Sequence, residues 1–249
     1  MTVGHRSLID QLVFMTDHKF AVIGHSYMIV GEALARMMSE QGARLIISSR
    51  NKEELEDIQK SMNNGHNVKF VYISVYMVLV LDLSNIPNAP ELVRQALDMY
   101  GHIDVLVNNA GIFCRVPVEE VTDDLLRKIM EVDFFGQVAL TQAVLPDMLE
   151  RRCGQIVNVL SVLGKFGYLL RAPYSAAKFA LNGYMSTLRL EMTSKGISVC
   201  NIMPGPVITN VSKNSLLADG KSIWKDRQTY CNRNEGEEVC RADHQGNGI

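Results

Sequence analysis

The sequence predicts a single doubly wound parallel α/β sheet, and three observations carry that prediction. Short apolar runs alternate with helical patterns from Phe20 to Met203. The runs are apolar throughout instead of alternating in polarity, so the strands are buried on both faces, which requires helices above and below a parallel sheet. The length of 249 residues, with 47% hydrophobic and 21% charged residues, suits one α/β domain with a sizeable core.

The elements follow in order. FAVIG reads as the first strand, and a helix runs from Gly31 to about Gln41, stopped by Gly42. ARLIIS is the second strand, and Asn51 caps the helix KEELEDIQKSM ahead of Asn63-Asn64-Gly65. The apolar stretch that follows is about twice the length a strand needs. VLVLDLS suffices as the third strand, which makes Phe70 to Met77 extra material. A helix over Ala89 to Tyr100 and the strand IDVLVNN come next. The helical pattern from Thr122 to about Arg151 opens with Thr122-Asp123-Asp124, a cap followed by first-turn acids. QIVNVLS, a helix from Ser175 to Ser194, and ISVCNIM complete the alternation. Residues 18–217 thus form the expected domain, and residues 218–249, which show neither period, a poorly ordered tail.

Composition narrows the partners. A formal net charge of −2 gives no footprint for nucleic acid. The longest apolar run, Phe70 to Leu81, falls short of the roughly 20 residues a membrane span needs, so no integral span is expected. The N-terminal stretch carries Asp10 and Asp17 and reads as no signal peptide. Cys114, Cys153, Cys200, Cys231 and Cys240 are odd in number and lack metal-ligand spacing. They read as reduced thiols in a cytoplasmic setting, with no metal site, although Cys231 and Cys240 could pair.

The strongest chemical signal is YSAAKFAL. Tyr174 and Lys178 are four apart on one helix face, where an ammonium stabilises a phenolate and lowers the tyrosine pKa. Such a pair alone is common on helix surfaces. Its context is not: Ser161 ends a strand thirteen residues earlier, and VNNAG and PGPVIT end two others. Ligands of open parallel sheets bind beyond the carboxyl ends of the strands.

On these motifs the chain resembles the short-chain dehydrogenase/reductases, from about Phe20 to Leu217. SRNKEELE, EVDFFG, LTQAVLPDM and PGPVITNVSKNSL further resemble the branch holding dehydrogenase/reductase member 7 and the 11β-hydroxysteroid dehydrogenases. The resemblance implies a Rossmann-like fold and hydride transfer between a nicotinamide and a small-molecule alcohol or carbonyl, steroid- or retinoid-like. It assigns Ser161, Tyr174, Lys178 and Asp133 to catalytic positions, with Tyr174 as proton donor, Ser161 as the group that orients the oxygen, and Lys178 as ribose ligand and tuner of Tyr174; Tyr174 and Lys178 also count among the cofactor positions. Asn109, Ala110 and Gly111 in the NNAG motif, and Pro204, Gly205, Val207 and Thr209 in the PG motif, fall on cofactor positions, as do Gly24, Gly31 and Asp82. Arg50 ends the second strand where an arginine accommodates a 2′-phosphate, so NADP(H) is the expected cofactor. By the resemblance alone, location at the endoplasmic reticulum membrane is an alternative to the cytoplasm. Assembly into a homo-oligomer is left open.

The chain departs from the family pattern at three places. The family's TGxxxGxG turn falls on Gly24 to Gly31 with His25 and Ile29 at glycine positions. A left-handed backbone there costs roughly 1–2 kcal/mol per non-glycine residue, which implies about a 10- to 1000-fold loss of affinity. Asp133, in EVDFFG, stands where the family has asparagine and adds a carboxylate near Lys178. The tail matches neither the final helix nor the seventh strand, so the sheet is expected to lack its last strand. These departures keep two alternatives in view: a catalytically impaired relative acting as a binding or interaction protein, and an irregular sequence of an active enzyme.

Overall fold

The computed structural model describes residues 20–24, 29–40, 43–49, 68–72, 89–205 and 215–216. Its strands are β1 (Phe20–Gly24), β2 (Arg44–Ser49), β3 (Val68–Tyr72), β4 (Val105–Asn108), β5 (Gly154–Val159) and β6 (Ile197–Ile202). They form one parallel sheet in the order β3-β2-β1-β4-β5-β6. The helices are α1 (Ile29–Glu40), α2 (Ala89–Tyr100), α3 (Asp123–Met130), α4 (Gly136–Arg151) and α5 (Ala172–Met192).

Both faces of the sheet are covered, as the uninterrupted apolar strands require. Leu106, Ile156 and Val199 lie side by side in register and pack under Val93 and Ala96 of α2, Val144 and Met148 of α4, and Leu181 and Met185 of α5. One residue along, Val105, Val107 and Val157 face the other way and meet Leu34, Ala35 and Met38 of α1. The period-two alternation of a strand thus serves two cores, neither of which tolerates a polar side. On α5 the buried residues Leu181, Met185, Leu188 and Met192 recur at helical spacing and form one stripe in the core on the sheet, while Ala177 packs with Leu125 and Ile129 of α3.

The sequence boundaries of most elements agree with the structure to within a few residues. Thr122 caps α3 by accepting from Leu125 N at 3.2 Å. The single long helix expected there is interrupted: α3 and α4 are joined by a π-helical turn, Glu131–Phe135. The third strand is also different. VKFVY at Val68–Tyr72 pairs with β2, with Phe70 opposite Ile47. Phe70 to Tyr72 are therefore strand, not extra material, and VLVLDLS lies outside the described residues. The apolar run holds more than one strand's length, and length alone does not say which part pairs. The KEELEDIQKSM helix, the tail, Cys231 and Cys240 lie outside the described residues as well. Among those described, β6 pairs with β5 alone.

A row of asparagines crosses the sheet just before the strands end. Asn108, Asn158 and Asn201 are in register on β4, β5 and β6. Asn108 Nδ2 donates to Asn158 Oδ1 at 2.8 Å and to Thr141 Oγ1 of α4 at 2.9 Å, and Asn158 Nδ2 donates to Asn201 Oδ1 at 2.9 Å. Asn158 is fully buried, so Asn158→Ala takes an acceptor from the buried Asn108 amide and the donor that Asn201 Oδ1 accepts from. A loss of about 1–3 kcal/mol in urea unfolding is expected. A change below about 0.5 kcal/mol would show that the row carries no stability.

Candidate active site

The strand order puts a topological switch point at the end of the sheet where the sequence motifs lie. Chain direction across the sheet reverses between β1 and β4, whose last residues, Gly24 and Asn108, are register partners. In open parallel sheets that switch point is where dinucleotides lie. Gly24 ends β1, and the glycine turn's far side begins at Ile29, the first residue of α1, with Gly31 buried in its first turn. The expected left-handed strain at Ile29 is thus absent, because the residue is helical. Arg152 and Leu170 are the non-glycine residues with positive φ among those described. His25 to Met28, Arg50, Asp82, Val207 and Thr209 lie outside the described residues.

Tyr174 sits in the first turn of α5, after Pro173, whose missing N–H costs nothing at a helix start. Lys178 follows one turn later and is buried, its Nζ 5.5 Å from the Tyr174 ring centre. Ser161, just beyond β5, starts a short turn in which its Oγ accepts from Leu163 N at 3.1 Å. The Ser161 hydroxyl also stands close enough to the Tyr174 hydroxyl to favour its phenolate. Gly164 favours this meeting: a Cβ there would stand 3.0 Å from the Lys178 carbonyl oxygen, so a larger residue would push the turn a few tenths of an ångström off α5. Asn182 Nδ2, donating to Gly164 O at 3.3 Å, ties the same turn down.

The NNAG motif forms the next wall. Asn109 is buried, and Gln137 Nε2 donates to Ala110 O at 2.6 Å. A Cβ on Gly111 would come within 3.1 Å of Asp133 Oδ2 and 3.5 Å of Lys178 Nζ. The PG motif closes from the far side, where Val162 N donates to Pro204 O at 3.1 Å, with Gly205 exposed beyond it. Ser161, Tyr174, Lys178, Asp133, Gly111 and Pro204 therefore converge on one end of the sheet.

Asp133 projects from the π-helical turn and is fully buried. Its Oδ1 accepts from Ile112 N at 2.7 Å and its Oδ2 lies 3.2 Å from Lys178 Nζ, an ion pair more than an aligned hydrogen bond. Burial pushes the Asp133 carboxyl above the ordinary aspartate value, with Lys178 opposing. Burial also works against the Lys178 ammonium, but the Asp133 carboxylate and Tyr174 outweigh it and leave Lys178 above the usual lysine value.

Tyr174 corrects the sequence expectation of a lowered pKa. Burial pushes its phenol up; Lys178 pulls it down; Asp133 pushes it up again; the nearby Ser161 hydroxyl and Arg171 pull it down. The sum is a phenol above the ordinary tyrosine value, because burial dominates and the lysine's charge is already paired. Tyr174 is accordingly a protonated acid at neutral pH.

Sequence reading missed a second layer behind the tyrosine. Arg171, just before α5, is buried with its guanidinium 4.1 Å from the Phe113 ring centre and its Nη1 donating to Cys114 O at 3.0 Å. Phe113 meets Tyr174 edge-on at 4.9 Å. An arginine directly ahead of the APY segment, with a phenylalanine after NNAGI, is a pattern that one sequence cannot mark out. The asparagine row left a fainter signal, one amide in each of three apolar strands. Among the described residues no helix is long and apolar enough to cross a membrane, and no three His, Cys, Asp or Glu side chains are grouped to hold a metal.

Comparison with known proteins agrees with this geometry. Residues 20–219 match the family model described as short chain dehydrogenase. Dehydrogenase/reductase SDR family member 7 of Homo sapiens is 39% identical over 206 residues, covering 82% of this chain and 60% of that protein. The Drosophila melanogaster SDR family protein 7-like is 38% identical over 200 residues, covering 80% and 60%. The chain thus spans about three fifths of the length of these curated relatives. Among solved structures, an actinorhodin polyketide ketoreductase variant with NADPH superposes with a TM-score of 0.73 at 30% identity, covering 88% of this chain and 78% of that one. A metagenomic short-chain oxidoreductase in complex with NADP gives 0.69 at 26% identity, covering 77% and 83%. The chain belongs to the short-chain dehydrogenase family of oxidoreductases.

Proposed function

We propose that the protein transfers hydride between NADP(H) and a lipophilic alcohol or carbonyl. The observation that carries this reading is the meeting of Ser161, Tyr174 and Lys178 beyond the carboxyl ends of β4 and β5. The bound nicotinamide would supply the hydride; the residues of the chain handle the proton and the geometry. Ser161 donates to the carbonyl oxygen and fixes its position. Tyr174, protonated at neutral pH, gives its proton to the same oxygen as it gains charge. Lys178 lies against Gly111, where a ribose would approach the backbone, and its ammonium favours the phenolate left behind.

The switch point, the close approach allowed by Gly111 and the small residues at Ala110 and Gly205 fit a dinucleotide, with Asn109 and Pro204 flanking it. The lipophilic substrate is supported by Phe166, Tyr168 and Leu169, exposed between Ser161 and Tyr174, with Leu169 80% exposed. Turnover of NADPH against a panel of apolar ketones and aldehydes tests the reaction. No turnover with retained NADPH binding would favour the second reading, an impaired relative, which the non-glycine residues His25 and Ile29 at the family's glycine positions support.

The cofactor preference has its own test. Arg50→Ala should weaken NADPH binding about 10- to 100-fold and leave NADH binding unchanged, as expected for loss of a charge-assisted contact to a 2′-phosphate. Equal losses for the two cofactors would remove Arg50 from the phosphate site.

A further inference from the structure

We infer that Asp133 is a positioning residue for the proton transfer: it holds Lys178 in a buried ion pair, divides the lysine's charge between itself and Tyr174, and so sets the pH range in which Tyr174 works. The inference rests on Tyr174 as the acid–base group.

Three segments converge on one carboxylate. It leaves the π-helical turn between α3 and α4, binds Ile112 N of the segment after β4, and faces Lys178 of α5. Gly111 presses on both partners, since even a methyl group there would touch Oδ2 and Nζ. Neither charge reaches water: Asp133 is 0% exposed and Lys178 3%. A buried pair of this kind is held by its partners, because either charge alone is costly in that setting.

A count of charge gives the consequence. With Asp133 ionised, the Asp133–Lys178–Tyr174 cluster is neutral while Tyr174 keeps its proton and negative once the proton leaves. With asparagine in place of Asp133, the cluster starts positive and becomes neutral on losing a proton. Loss of the proton is easier in the second case, most of all where water is excluded. The other groups facing Tyr174 do not supply that negative charge: Arg171 from the start of α5 is a cation, Ser161 is a neutral hydroxyl, and Cys114 is a thiol pushed up by burial. Asp133 is thus the carboxylate acting against the phenolate in this cluster.

The test uses the full chain without cofactor. Phenolate formation is followed by ultraviolet difference absorbance, with Tyr174→Phe subtracted to isolate Tyr174. Asp133→Asn keeps the volume and the acceptor for Ile112 N, and should move the Tyr174 midpoint down by about one to three pH units. Asp133→Glu, which restores the charge, should return it toward the native value. In active protein the basic limb of the carbonyl-reduction profile should shift with the midpoint. If Asp133→Asn does not fold, Lys178→Met should raise the midpoint, and adding Asp133→Asn to it should bring the midpoint back down. An unmoved or raised midpoint in Asp133→Asn, or equal midpoints in the Lys178→Met single and double variants, overturns the inference. A shifted midpoint with no turnover by any variant supports the coupling and removes the oxidoreductase reading instead.

Discussion

Tyr174→Phe is expected to lower NADPH-dependent carbonyl reduction by about 10²- to 10⁴-fold while leaving NADPH affinity unchanged. The ring stays where it is: its edge-on contact with Phe113 at 4.9 Å and its place among Cys114, Ile129 and Ala177 need no hydroxyl. What is lost is the proton and the hydroxyl that stands near Ser161. Removing one polar group costs about 1 kcal/mol of stability, small beside the chemical loss. Steady-state rates and NADPH fluorescence titration separate the two. Native turnover in the phenylalanine variant would assign the proton elsewhere. Lost turnover together with lost NADPH binding would mean that the hydroxyl holds the cofactor in place of transferring a proton.

The family and the sheet were legible because their signals are local. Apolar runs of strand length other than the third, caps such as Thr122 and the Tyr174–Lys178 spacing each follow from a few adjacent residues and stand where expected. The misreadings come from non-local balances. Phe70 could be assigned to strand only by knowing which part of a long apolar run lies against Ile47. The tyrosine pKa was read from its helix neighbour Lys178, yet burial and a carboxylate from another helix decide its direction. The same carboxylate was visible in the sequence as a departure at Asp133. Its nearness to Lys178 followed from the resemblance, but its effect on Tyr174 did not, because the π-helical turn that aims it inward leaves no periodic mark. Arg171 and the asparagine row belong with these: they act through partners between 15 and 57 positions away.

Rebuilding the turn after β1 should strengthen NADPH binding, by about tenfold to hundredfold, or about 1.4–2.8 kcal/mol. The sequence estimate counted left-handed strain at both His25 and Ile29, but Ile29 is the first residue of α1 and carries none. The rebuilt chain therefore changes His25→Gly, Tyr27→Ala and Met28→Ser, with Gly24→Thr to give the last residue of β1 a strand-favouring side chain. Ile29 is kept, since glycine in a helix costs about 1 kcal/mol. Smaller side chains leave the backbone N–H groups of the turn and the N-terminus of α1 free to face a pyrophosphate. Fluorescence titration of the native and rebuilt chains reads the gain directly. A companion variant adding Ile29→Gly separates two causes: no further gain is expected if bulk is the defect, whereas a second tenfold gain would mean that the bound turn demands a left-handed residue at that position. Equal, tight binding by native and rebuilt chains would show that His25, Tyr27 and Met28 are accommodated. Equal, weak binding would place the defect outside the turn, in the sheet beyond β6 or in the lysine that Asp133 holds.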